Sequence, residues 1–203
     1  MDKYEAIIFD FGGVIINIDY EATIDAFKAM GITDFEALYS QANQTELFNA
    51  IETGAISSQH FINGLLHILP KGISPNRVVH AWNAMILDIP KHRIDFLQEL
   101  KKSCPIYLLS NTNEIHIDKA LREWDKHSTA SIHEVFNHVY LSHEMNLRKP
   151  QREIFQAVCQ EQRLNPANVL FIDDSIQHIE GARAYGLNVY HLKPGEEIQS
   201  IFS

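Results

Sequence analysis

Cysteine is nearly missing from this sequence. Two residues, Cys104 and Cys159, stand in a chain of 203, so one bridge is the most that can form and a disulfide-stapled secreted fold is excluded. Each lies in an apolar segment where a free thiol packs as a small hydrophobe, and a reducing, cytosolic compartment is expected. Long apolar runs are missing too. Nothing approaches the roughly 18 residues of a spanning helix, and the chain starts Met1-Asp-Lys-Tyr-Glu5 rather than with an apolar leader. A membrane is therefore not an expected partner. Positive charge is scarce: 17 Lys and Arg against 26 Asp and Glu leave a net charge of −9. The close basic pairs, Lys101-Lys102 and Arg148-Lys149, are too short to neutralise a phosphate backbone, so nucleic acid is not an expected partner either.

What is present is an ordinary globular composition, 45% hydrophobic, in a length that suits one compact domain or one core with a modest insertion. Five short, β-rich apolar runs, at 6–9, 106–109, 138–141, 169–172 and 187–191, predict buried strands. Helical patterns at 113–126, at 150–162 closed by Asn165-Pro166, and at 176–185 closed by Gly186 alternate with the last four. This rhythm predicts a doubly wound α/β core.

The first two runs break the rhythm, with about a hundred mostly helical residues between them. Thr33-Asp-Phe-Glu36 spells a capping box, Ser57 can cap a helix running to Leu69 before Pro70, and Ser74-Pro75 supplies a cap and a first-turn proline. The expected organisation is a core of 1–16 and 89–203 with a helical module of 17–88 inserted into it. About four helices are predicted in that module. Short hinges near 17–20 and 88–90 would join it to the core, and Pro90 would start the returning helix.

In doubly wound sheets, ligands sit beyond the carboxyl ends of the strands. Here the first strand ends in Asp10-Phe-Gly-Gly13, the second in Ser110-Asn-Thr-Asn113 and the fourth in Asp173-Asp-Ser175, while Lys149 precedes a predicted helix after the third. Taken singly, Asp10 is a turn or cap residue, Ser110 a strand-end hydroxyl, Asn111 a cap and Lys149 a solvated helix start. A cation at a helix N-terminus opposes the macrodipole, however, and so asks for another reason. Gathered at one sheet edge, Asp10, Asp173 and Asp174 would repel one another unless a cation lay between them. Mg²⁺ suits such an oxygen set, in a sequence without His or Cys at ligand spacing. Ser110 and nearby backbone N–H groups could hold phosphate oxygens, with Lys149 as a fixed positive charge on the same anion.

Taken together, these segments resemble the four motifs of the haloacid dehalogenase superfamily. Ile7-Ile-Phe-Asp10-Phe-Gly-Gly-Val14 is similar to the first motif, Leu108-Leu-Ser110-Asn111 to the second, Lys149-Pro150 to the third, and Phe171-Ile-Asp173-Asp-Ser with Glu180-Gly-Ala182 to the fourth. The resemblance implies a Rossmann-like parallel sheet of order 5-4-1-2-3 and a helical C1 cap formed by the insertion. It also implies a Mg²⁺-dependent hydrolase in which Asp10 attacks phosphorus to give an aspartyl-phosphate. Asp10, the carbonyl of Gly12 and Asp173 would bind the metal, Asp174 would act through water, Ser110 and Asn111 would bind substrate, and Lys149 would serve catalysis.

Gly12 departs from the family pattern, because most phosphatases of the superfamily carry a second Asp there as general acid and base. Its loss removes an effect of roughly 10²- to 10⁴-fold. The variant resembles a branch that includes glucose-1-phosphate phosphatases, whose leaving group needs less acid help. Asp19 and His178 are candidate substitutes. Glu46 and Phe48 could face substrate, although such residues are more often core or solvated face. The expected substrate is a small phosphorylated metabolite such as a sugar phosphate. The rival readings are a metal-independent dehalogenase and a pseudo-enzyme that binds a phosphorylated ligand without turnover.

Overall fold

The five apolar runs form one parallel sheet in the computed structural model, which describes residues 4–31 and 46–202. The strands are β1 (Ala6–Phe9), β2 (Ile106–Ser110), β3 (His138–Leu141), β4 (Val169–Asp173) and β5 (Asn188–His191), in spatial order β3-β2-β1-β4-β5. The expected order 5-4-1-2-3 is thus observed. In register, Ile8 of β1 lies beside Tyr107 of β2 and Phe171 of β4. Strands this apolar are stable only when both faces are covered. Ile7 and Phe9 join Leu108, Trp124 and Ile172 in one buried cluster, whereas Ala6 and Ile8 join Leu109, Phe155 and Phe171 in another. The alternation of side chains along each strand thus feeds two cores from one sheet.

Helices α1 (Tyr20–Lys28), α2 (Glu46–Glu52), α3 (Ser58–Ile68), α4 (Pro75–Trp82) and α5 (Lys91–Leu100) lie between β1 and β2. Ser57 and Ser74 cap α3 and α4 through their side chains, and Pro75 opens α4 where its missing N–H costs nothing. The capping box at Thr33 lies outside the described residues. A third cluster, built on Phe27, Phe48, Phe61, Leu65 and Trp82, belongs to α1–α4 and admits Ile115 from beyond them. Phe48 and Phe61 pack on Trp82 at ring separations of 5.4 and 4.9 Å. Truncating Trp82 would cost about 3–5 kcal/mol.

The two expected hinges are not separate tethers. Ile18 and Ile86 form an antiparallel bridge, Asn17 N–H donates to Asp88 O at 2.9 Å, and Leu87 N–H donates to Asn17 O at 3.1 Å. Arg93 on α5 pins this crossing by donating to Ile15 O and Asn17 Oδ1 while pairing with Glu197.

On the core side follow α6 (Glu114–Trp124), α7 (Ile132–Val135), α8 (Ser142–Met145), α9 (Arg152–Glu161) and α10 (Ile176–Tyr185). Asn113, not Asn111, caps α6. Gly186 ends α10 in the left-handed region at φ 116°. Two short helices, α7 and α8, escaped the sequence reading, being too brief to show periodicity. Cys104 and Cys159 are free and buried, as expected. No helix among the described residues is long and apolar enough to cross a membrane.

Candidate active site

The strand order puts β1 between β2 and β4, so Asp10, directly after β1, and Ser110 and Asp173, the last residues of β2 and β4, meet at one edge. Asp10 is 6% exposed, Ser110 3%, and Asp173 and Lys149 are fully buried. Lys149 Nζ lies 2.8 Å from Asp10 Oδ1 and 2.7 Å from Asp173 Oδ2. Asp10 Oδ1 also accepts from Phe11 N–H at 2.7 Å, and Asp173 Oδ1 from Ser175 N–H at 2.8 Å. Charged groups this deep persist only when paired and hydrogen-bonded, and each of these is.

Lys149 does not start a helix. Pro150 and Gln151 intervene before α9, with the Lys149–Pro150 peptide cis. What aims it is Asn111, whose Oδ1 accepts from Lys149 N–H and whose Nδ2 donates to Lys149 O, both at 2.9 Å. Asn111 lines the cavity expected for substrate, yet its amide is engaged with this main chain. Behind the loop, Gly181 on α10 faces Pro150 so closely that a Cβ would lie 2.6 Å from Pro150 O. That contact explains the glycine of Glu180-Gly-Ala182.

No histidine stands at ligand spacing in the sequence, yet the loop after β4 brings His178, a candidate acid or base, against Asp173. Its Nδ1 lies 3.0 Å from both carboxylate oxygens of Asp173, and Asp10, Asp173 and His178 form a cluster with ligand atoms within 4.8 Å of one another. Turn residues 174–175 fold α10 back over β4, so an interval of five residues becomes a contact. Nε2 faces Asn111 Nδ2 at 3.5 Å. The ring therefore donates from Nδ1 to Asp173 and accepts at Nε2.

The charges here are strongly coupled. Burial and the neighbouring Asp173 push Asp10 well above the usual carboxylate range, against the pull of Lys149. Burial also pushes Asp173 up, but Lys149 and His178 outweigh it and hold Asp173 well below that range. Asp174 is raised to about 6 by burial and by Asp173. Lys149 is raised because Asp10 and Asp173 outweigh its burial, and His178 is lowered by burial and by Lys149. One ammonium against three carboxylates leaves an excess of negative charge, so the pocket suits a further cation.

A family model for haloacid dehalogenase-like hydrolases matches residues 4–186. The chain belongs to that family. A HAD family enzyme from Bacteroides thetaiotaomicron, solved as the wild-type protein in complex with magnesium and inorganic phosphate, superposes with a TM-score of 0.90 at 33% identity, covering 98% of this chain and all of that one. A predicted HAD-like family hydrolase from Porphyromonas gingivalis gives a TM-score of 0.89 at 29% identity, over 98% of this chain and 97% of that one. A D-ribitol-5-phosphate phosphatase of Bacteroides thetaiotaomicron is 27% identical over 191 residues, which is 94% of this chain and 93% of the relative.

In this HAD-like hydrolase the buried charges open into a cavity of about 380 Å³. Asp10, Gly12, Ser110, Asn111, Lys149 and Asp174 all line it, so the predicted residues do converge, apart from Asp173, which is fully buried against Lys149. At Gly12 an added Cβ would press on Ile18 at 3.3 Å. Gly13 sits at φ 70° with its Cα so near Asp174 that a Cβ would collide with that carboxylate.

The other walls were not foreseen. Tyr20, Glu52, Met85 and Arg148 line the same space. Phe48 is instead buried in the aromatic core and Glu46 is exposed, and neither lines the cavity. Asp19 caps α1 by accepting from Glu21 N–H at 3.0 Å, exposed and outside the lining, whereas His178 lies within it. The signal that could have exposed Glu52 was an acidic residue ending a short helix ahead of a glycine turn.

Proposed function

We propose that this chain is a Mg²⁺-dependent phosphatase of a small phosphorylated metabolite, a sugar or polyol phosphate, with Asp10 as nucleophile. The observation that carries the reading is the burial of Asp10 and Asp173 against a shared Lys149 ammonium, at 2.8 and 2.7 Å, under a polar cavity. The magnesium and phosphate held by one relative, and the ribitol-5-phosphate phosphatase activity in another's name, support it.

The donors fit a hard cation. Asp10, the Gly12 carbonyl and Asp173 would hold it, with Asp174 acting through water, and all offer oxygen. His178 supports Asp173 by hydrogen bond rather than supplying a ligand. When bound, Mg²⁺ would keep these carboxylates ionised and polarise the phosphoryl group.

The chain's own residues supply the rest. A carboxylate oxygen of Asp10 attacks phosphorus, forming an acyl phosphate as the ester oxygen departs. Water then attacks the same phosphorus, releasing inorganic phosphate and restoring Asp10. Lys149 balances negative charge on the phosphoryl oxygens, and Ser110 donates to them. Residue 12 offers no acid, so the departing oxygen takes its proton from elsewhere. Neither candidate is placed to give it: Asp19 lies outside the cavity, and His178, though in the cavity wall, commits its one ring proton to Asp173. We read 17–88 as the cap and 1–16 with 89–203 as the core, a division supported by the separate aromatic cluster and by Tyr20 and Glu52 in the cavity wall.

A panel of sugar and polyol phosphates incubated with Mg²⁺ should release inorganic phosphate, and EDTA should abolish release. Release that survives exhaustive EDTA would overturn the metal requirement. Binding of Mg²⁺ and inorganic phosphate without release from any ester would favour the non-catalytic binder.

A further inference from the structure

Glu52 closes α2 and Arg148 directly precedes Lys149, and the two meet across the cavity wall with Nη2 3.0 Å from Oε2. Both side chains are 18% exposed. Arg148 Nη1 also donates to Asn49 Oδ1 at 3.0 Å, and Ser142 Oγ donates to the main-chain carbonyl of Glu52 at 2.6 Å. Burial raises the Glu52 carboxyl against the opposing pull of Arg148. A pair so withdrawn from water gains little net stability over an apolar replacement, because desolvation cancels much of the attraction. Its position on the wall of the reaction cavity points to a ligand instead.

We propose that Glu52 and Arg148 recognise adjacent hydroxyls of the substrate's leaving group, an inference that rests on the phosphatase reading above. The chemistry of the pair selects the ligand. Ionised Glu52 only accepts hydrogen bonds and Arg148 only donates them. A hydroxyl does both, so a vicinal diol gives one O–H to Glu52 and takes one N–H from Arg148 without breaking the ion pair. A second acidic group on the substrate meets Glu52 with like charge, and an amine meets Arg148 in the same way. A hydrocarbon leaving group desolvates both and satisfies neither, which is the stronger form of discrimination. Arg148 and Lys149 are consecutive, so their Cα atoms stand about 3.8 Å apart. One stretch of chain thereby serves the phosphate end through Lys149 and the hydroxyl end through Arg148. That spacing fits a short polyol phosphate better than a bulky one.

The test compares ribitol 5-phosphate with phenyl phosphate, which has no hydroxyls, in the wild type, Glu52→Gln and Arg148→Lys. The ratio of kcat/KM for the polyol ester to that for phenyl phosphate should fall by roughly tenfold or more in Glu52→Gln, the scale of a lost hydrogen bond to a charged group. The loss should lie in KM rather than kcat. Arg148→Lys, which keeps the charge but not the paired donors, should lower the ratio less. A ratio unchanged within twofold in both variants overturns the inference, as does an equal loss on both esters, which marks the pair as a latch between α2 and the core. Calorimetric binding of ribitol 5-phosphate and of inorganic phosphate reads the same comparison without turnover. A wild type that releases phosphate from no ester of the sugar and polyol phosphate panel fails the phosphatase reading. Glu52→Gln that weakens both bound ligands alike, or neither, fails this one.

Discussion

Lowering the pH from 7 to 5 should loosen the seam between α6 and the inserted helices through His116. The ring is buried and stacks on Trp82 at 4.6 Å. Its Nε2–H donates to Trp82 O at 2.9 Å, and Nδ1 faces the Asn113 amide nitrogen at 3.2 Å. Asn113 Oδ1 is committed to Trp82 Nε1–H and His116 N–H, so its nitrogen must point at the ring and Nδ1 must be the acceptor. A proton on Nδ1 would break that bond. Burial accordingly pushes the imidazole down from 6.5 to about 4. The folded protein thus keeps His116 neutral where the unfolded chain binds a proton. Stability from this group is fully present above 6.5, declines as pH drops, and is lost by about 4. At 1.36 kcal/mol per unit, the loss between pH 7 and 5 is about 2 kcal/mol. Urea unfolding followed by tryptophan fluorescence at the two pH values, in the wild type and in His116→Gln, isolates the term, because the remaining groups titrate alike in both. The wild type should lose about 2 kcal/mol more than the variant. Equal losses would show that His116 is not held neutral and would refute the reasoning.

Lys149→Met leaves two buried carboxylates without their shared cation, which should cost about 3–5 kcal/mol in EDTA. Mg²⁺ should restore part of this, and an unchanged urea midpoint in EDTA would contradict the account. Gly13→Ala forces a Cβ into the left-handed region and against Asp174. It should cost about 1–3 kcal/mol and weaken Mg²⁺ binding in a calorimetric titration, and a variant with native melting and affinity would count against the close packing of this turn.

How far the sequence carries depends on the distance over which each feature is determined. The strands were legible because a segment buried on both faces must be apolar along its length, as Ala6–Phe9 and, up to its terminal aspartate, Val169–Asp173 are. Asp10, Ser110 and Asp173 followed, since a strand end fixes the position of its last residue and of the next. Lys149 was legible as a residue but not in its setting, because its burial depends on Asn111 clamping its main chain from 38 residues away. His178 was legible as a candidate acid or base but not as a partner of Asp173, because only the turn after β4 brings the two together. The cap side of the cavity was the least legible. A seven-residue helix such as α2 is too short for its pattern to show which face turns inward: Phe48 packs on Trp82, and Glu52, one turn further along the same face, reaches the cavity.

The central claim is that Asp10 is the nucleophile. Asp10→Asn, assayed on ribitol 5-phosphate with Mg²⁺ beside the wild type, should drop phosphate release to the background rate while the protein still unfolds cooperatively and binds inorganic phosphate. An Asn variant as active as the wild type would contradict it.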